Sequence, residues 1–211
     1  MAEQTLIEWS DASWSPWHGC QRVSPGCVHC YAESLSKRYG HDIWGPEAPR
    51  RFLSDAHWKK PLQWDRKARE AGRIMRVFPS MCDPLEDRRD LDEARKQYFR
   101  LVDQTPNLMH LILTKRPENW RLFPDHWCEW WPSNAMFGFT GEDTPWFEKR
   151  CAMAEQAKNV IPNFRVFLSA EPLLGRIWLP HDAAGLIDWV ICGGESGHGA
   201  RPMHPDWVKS L

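Results

Sequence analysis

The chain lacks any apolar run approaching the roughly 20 residues that a helical membrane span needs. No membrane partner is expected, and a cytoplasmic setting is. Net charge is almost absent too: 27 Lys and Arg stand against 28 Asp and Glu, for a formal net charge of -1. No global basic field therefore advertises nucleic acid. Only local pairs such as Arg50-Arg51 and Lys115-Arg116 remain as anion-facing candidates. The opening Met-Ala-Glu-Gln-Thr-Leu-Ile-Glu-Trp-Ser is neither a signal peptide nor a transit peptide. An even cysteine set is missing as well. Of the seven cysteines, Cys82, Cys128, Cys151 and Cys192 are solitary, which argues against a secreted disulfide framework and for a reducing compartment.

What is there is enough for one full domain: 211 residues can bury a sizeable core. Tryptophan is abundant, at 14 residues. Some must be core. Trp127, Trp130 and Trp131 are read as an exposed contact surface.

The chain is organised around Trp17-His18-Gly19-Cys20-Gln21-Arg22-Val23-Ser24-Pro25-Gly26-Cys27-Val28-His29-Cys30-Tyr31. Cys20, Cys27 and Cys30 form a C-x6-C-x2-C pattern in a loop broken by Gly19, Pro25 and Gly26. Gly and Pro let a backbone wrap a small object. A helix over Tyr31–Tyr39, ended by Gly40, follows directly, and its N-terminus favours negative thiolates. Three thiolates suit a soft metal. Structural zinc wants a fourth protein ligand, for which His18, His29 and His41 are candidates. An iron–sulfur cluster held by three cysteines instead keeps one iron open for a substrate or cofactor.

A regular alternation runs along the rest of the chain. A short strand is expected within residues 7–17. Residues 40–72 read as irregular, with a solvated Asp55–Lys60 stretch and then a polar helix over Leu62–Ala71. From about residue 73 strands are expected at 73–79, 108–113, 135–139, 164–168 and 186–192. Helices are expected at 91–103, 117–123 and 144–158, with another beginning at Pro205. The strands are near-continuously apolar, as parallel strands buried on both faces should be. The expected fold is α/β: a partial, open TIM-like (β/α)6 barrel of mainly parallel strands, in a single domain over residues 1–211.

Each strand ends in Ser, Thr or Gly followed by a charged residue. In parallel βα folds those C-terminal ends carry the site. The rule gathers Ser80, Asp83, Thr114, Lys115, Thr140, Glu142, Ser169, Glu171, Gly194 and Glu195 on one rim. Each one alone suits a helix cap or a loop charge; five strand ends repeating the pattern point to a shared polar site.

Five motifs in order also carry a resemblance. Ile7-Glu-Trp-Ser-Asp-Ala-Ser-Trp-Ser-Pro and the cysteine loop with Tyr31-Ala32 resemble a bacteriophage and prophage family of poorly defined function, known for its three-cysteine motif. So do Leu113-Thr-Lys-Arg-Pro-Glu-Asn119, Phe167-Leu-Ser-Ala-Glu-Pro-Leu-Leu174 and Ile191-Cys-Gly-Gly-Glu-Ser-Gly197. That family looks like a divergent branch of the radical S-adenosylmethionine (SAM) enzymes. Two departures stand out: the usual loop is C-x3-C-x2-C, and the Gly-Gly-Glu that typically meets SAM on the second strand lies here on the last. Members also continue past Leu211, so a C-terminal helix and strand are expected to be missing.

The resemblance implies a [4Fe–4S] cluster on Cys20, Cys27 and Cys30, with SAM on its open iron and an external electron donor. It implies reductive SAM cleavage, used on a nucleotide or nucleic acid in a phage or prophage context. SAM would lie among Ser80, Asp83, Thr114, Lys115, Glu142, Ser169, Glu171, Gly193, Gly194 and Glu195. The aromatic-rich Trp120–Trp131 segment reads either as a base-stacking surface or as a hydrophobic lid. The alternative is a zinc-binding, non-catalytic module for a nucleic-acid or protein partner.

Overall fold

Runs of consecutive apolar residues leave no polar edge to face water, so they stack side by side with both faces covered. The computed structural model, which describes residues 5, 7–180, 183–196 and 198–211, arranges them in this way. Gly197, the last residue of the sixth-strand motif, lies outside the described residues, as do Met1–Gln4 and Leu6.

Six strands form one sheet: β1 (Ala12–Ser13), β4 (Met75–Phe78), β5 (Leu108–Thr114), β6 (Ala135–Thr140), β7 (Val166–Ala170) and β8 (Trp189–Cys192). They neighbour one another in that order, and every pairing is parallel. All six residues of β6 and all five of β7 are buried. This is the expected α/β architecture, a six-stranded parallel half-barrel open at its β1 and β8 edges.

Helices fill the gaps between strands and cover one face. They are α1 (Tyr31–Arg38), α2 (Asp55–Trp58), α3 (Lys60–Glu70), α4 (Asp92–Asp103), α5 (Asp125–Glu129), α6 (Thr144–Lys158), α7 (Ala183–Leu186) and α8 (Pro205–Val208). The largest core cluster joins Trp64, Tyr98, Phe147 and Ala154 from these helices to Val77, Ile112, Phe137 and Leu168 of the sheet. The α6 start follows from its sequence: Asp143 accepts the Trp146 N–H at 3.0 Å, and Pro145 occupies a first-turn position where no N–H is needed. On the opposite face Leu111, Met136, Phe167 and Ile191 make a separate small cluster, with Trp9 packed against it.

Several local expectations are corrected. The first strand shrinks to two residues. Trp17–His18 (β2) instead pairs antiparallel with Arg51–Phe52 (β3), inside the stretch read as irregular. Asp55–Lys60 is not simply solvated surface, because His57 is buried, stacked on Trp14 at 4.9 Å, with its Nε2 2.9 Å from the Ser15 carbonyl. Charge composition along this stretch hid one inward-facing position. Trp127 and Trp131 do not form an exposed surface: each is 1% exposed, and their rings pack at 5.4 Å beside Phe123. Trp130 alone of the three reaches water, at 66%.

Candidate functional site

The cysteine loop leaves the hairpin at His18 and lies across the C-terminal ends of the strands. Three ion pairs, each built on a strand-end acid, hold it there. At the end of β4, Asp83 accepts the Thr114 hydroxyl at 2.7 Å, the Lys115 N–H at 3.0 Å and Arg116 Nη1 at 2.8 Å. Arg116 in turn reaches the loop. Its Nη2 donates to the Gln21 carbonyl at 3.0 Å, and its Nη1 lies 3.7 Å from Cys20 Sγ.

At the end of β6, Glu142 is wholly buried. It accepts the Ser24 hydroxyl at 2.5 Å, the Gly26 N–H at 2.9 Å, Lys115 Nζ at 3.0 Å and Arg150 Nη1 at 3.2 Å. Burial alone would push this carboxyl up; Lys115, the Ser24 hydroxyl and Arg150 outweigh it and hold it down at about 2. The closeness explains Gly26, because a Cβ there would stand 2.5 Å from the Glu142 carboxyl carbon.

Past β8, Glu195 pairs with Arg201, which donates onward to the Pro25 carbonyl at 2.9 Å. Hydrogen bonding to Arg201 holds the Glu195 carboxyl below its usual range. Beneath the loop, the fully buried Arg50–Glu86 pair at 2.6 Å also ties down the Ile43, Gly45 and Ala48 carbonyls.

The remaining predicted residues sit on the same rim with fewer ties. Ser80 uses its carbonyl to accept the Tyr31 hydroxyl at 3.0 Å. Thr140 and Ser169 are buried side by side as a register pair. Among the described residues Glu171 carries one side-chain hydrogen bond, from Trp9 Nε1 at 3.2 Å. Burial pushes its carboxyl up, partly offset by that indole and by Lys115. Gly193 lies against Glu171. Gly194 follows, with the Met203 side chain as the nearest group its missing Cβ would touch. Sequence reading missed Trp9, Ser24, Arg150 and Arg201. Arg150 left one signal, a cation in the middle of a helix that must pack on a sheet.

Cys20, Cys27 and Cys30 are free thiols. Two of the three loop sulfurs have a donor beside them, Arg116 for Cys20 and the Ala32 and Glu33 amides for Cys30, while Cys27 Sγ lies 3.7 Å from the Ser24 hydroxyl, whose hydrogen goes to Glu142. Burial pushes the Cys20 thiol up to about 12 against the pull of Arg116, and raises Cys30 as well. Among the described residues no three His, Cys, Asp or Glu side chains stand close enough to share a metal ion. The loop would have to draw its sulfurs together to bind one. Its chemistry nonetheless fits a thiolate-bound metal: three free sulfurs share one short loop, and polar donors stand ready for the negative charge of two of them.

A family model described as "Protein of unknown function (DUF5131)" matches residues 4–211. The chain belongs to this family. No curated protein matches it. Among solved structures it is similar to spore photoproduct lyase. A double mutant with bound AdoMet and dinucleoside spore photoproduct aligns at TM-score 0.56 and 12% identity, over 87% of this chain and 51% of the lyase. The lyase complexed with dinucleoside spore photoproduct aligns at TM-score 0.54 and 12% identity, over 80% and 48%. This likeness shows the half-barrel fold, in a chain spanning about half the lyase's length. The phage setting that the sequence resemblance implies finds no support in these matches. No helix among the described residues is long and apolar enough to cross a membrane.

Proposed function

We propose that this family member is an iron–sulfur protein of the radical SAM type, acting on a nucleotide or nucleic acid. One observation carries the reading: three free thiols share a loop pinned at three points to the C-terminal rim of a parallel half-barrel. The lyase of similar fold, solved with AdoMet and a dinucleoside, adds support for both the cofactor and the substrate class.

In this reading Cys20, Cys27 and Cys30 hold a [4Fe–4S] cluster. When bound, it would supply one-electron reductive cleavage of SAM, with the electron drawn from an external donor. The chain's residues divide the rest of the work. Asp83 and Glu195 orient the loop through Arg116 and Arg201, and Glu142 holds it directly at Ser24 and Gly26 while Lys115 and Arg150 balance its charge. Arg116 favours the charged form of Cys20. Ser80, Ser169, Glu171, Gly193 and Gly194 are left to meet SAM and substrate.

A second reading, a zinc-stabilised interaction module, draws on His18. Its Nε2 is buried without a partner among the described residues, two positions before Cys20. Anaerobic purification separates the two. Brown protein absorbing near 400 nm, with iron and sulfide, that yields 5′-deoxyadenosine from SAM and dithionite supports the first. Colourless protein with stoichiometric zinc overturns it in favour of the second.

A further inference from the structure

The strand period of two puts Leu113, Phe167, Trp189 and Ile191 on the face away from the helices, and carries the same face on to Lys115, Glu142, Glu171 and Gly193. Of the three acids bound to a Lys or Arg on this rim, Asp83, Glu142 and Glu195, each is committed to holding the loop. Glu171 is not. Trp9 Nε1 occupies its Oε2. Among the described residues Oε1 accepts no hydrogen bond, and Glu171 is only partly buried.

Trp9 is only half-buried, edge-on to Phe78 at 4.5 Å and packed on the apolar cluster. Met109, Leu113 and Trp189 on that face are likewise only partly covered. Gly193 leaves room for the carboxylate, since a Cβ there would stand 3.1 Å from the Glu171 carboxyl carbon.

Resting on the nucleotide-handling reading above, we infer that Trp9 and Glu171 form a base-recognition subsite for an unpaired nucleobase carrying a ring N–H. The apolar face receives the flat ring. The free Glu171 oxygen accepts the ring N–H of a thymine, uracil or guanine. Cytosine and adenine present a ring lone pair at the same place, which a carboxylate repels. A duplex hides this edge in base pairing, so the subsite takes single strands or an extruded base.

Glu171→Gln makes a clean test. The glutamine carbonyl still accepts from Trp9, so the fold is kept, but its amide places a donor where the open acceptor was. Binding of labelled single-stranded oligothymidylate, oligocytidylate and a blunt duplex is measured by anisotropy on the full chain. The wild type should bind oligothymidylate about tenfold or more tighter than the other two, the loss expected for one hydrogen bond to a charged group. Glu171→Gln should cancel or invert the preference at unchanged Tm. Gly193→Ala, which presses on the carboxylate, should weaken it. Equal preference in wild type and Glu171→Gln, or no oligothymidylate binding by the wild type, overturns the subsite. Formation of 5′-deoxyadenosine by the reconstituted wild type is measured in parallel. If it forms without any base preference, only the subsite is lost; if the preference appears without it, the subsite stands and the radical reading is lost.

Discussion

Glu142 Oε2 accepts the backbone N–H of Gly26 at 2.9 Å across a separation of 116 residues. A strand-end carboxylate thus grips the loop one position before Cys27. Lys115 and Arg150 stand on the same carboxylate, each largely or wholly buried. Glu142→Gln leaves these two cations without their counter-charge. Removing one partner of a buried pair typically costs about 3–5 kcal/mol. The expected outcome is a lower urea midpoint together with faster alkylation of Cys27. Unchanged alkylation would mean that the loop is held by other contacts.

The thiols themselves give the second prediction. Replacing Cys20, Cys27 or Cys30 by Ala should abolish metal binding, because three ligands leave no redundancy. Cys128→Ala and Cys151→Ala should retain it, since these two sit by the main core on the helix side of the sheet. Metal content after anaerobic reconstitution decides the matter. Full iron loading of Cys27→Ala would remove the loop from the assignment.

Acid should weaken the fold in two windows. Burial lowers His18 to about 4 and His110 to about 3. The folded state therefore resists protonating them, whereas the unfolded chain takes protons near pH 6.5. Their stabilising contribution is full above about 6.5 and falls as the pH drops toward about 4 and then 3. Glu142 adds a second window with the sign of a depressed carboxyl. Its contribution is full above the ordinary glutamate value near 4.3 and is lost as the pH falls through about 2. Urea midpoints should decline from pH 7 to pH 4 and more steeply below. In Glu142→Gln the lower window should flatten while the upper one persists.

The parallel half-barrel was legible in the sequence because Leu108–Thr114, Ala135–Thr140 and Val166–Ala170 are continuous apolar runs broken by turn residues. The first strand was not. Only Ala12 and Ser13 pair with β4, and two residues carry no period. Asp83, Glu142, Glu171 and Glu195 could be gathered on one rim because the strand ends repeat. Their division of labour could not, since it rests on partners that no local pattern announces. Arg201 meets Pro25 across 176 residues, and Ser24 meets Glu142 across 118. Tryptophan exposure misled for a related reason. The short helix α5 turns Trp127 inward onto Phe99 and Phe123, which lie in other elements.

That last difference can be measured. Trp127 is buried against Phe99, Phe123 and Trp131, and its Nε1 donates to Asp103 at 2.7 Å. Trp127→Ala should therefore open a cavity and remove one hydrogen bond to Asp103, costing about 3–5 kcal/mol. Trp130, three residues on, is two-thirds exposed. Trp130→Ala should change stability by no more than about 0.5 kcal/mol. If the segment were a base-stacking platform, the two variants would instead share a loss of single-strand binding at equal stability. Equilibrium unfolding of both, alongside oligothymidylate anisotropy, separates the outcomes. A large stability loss confined to Trp127→Ala, with Trp130→Ala binding as wild type, assigns the segment to the core and leaves Trp9 as the aromatic that meets the base.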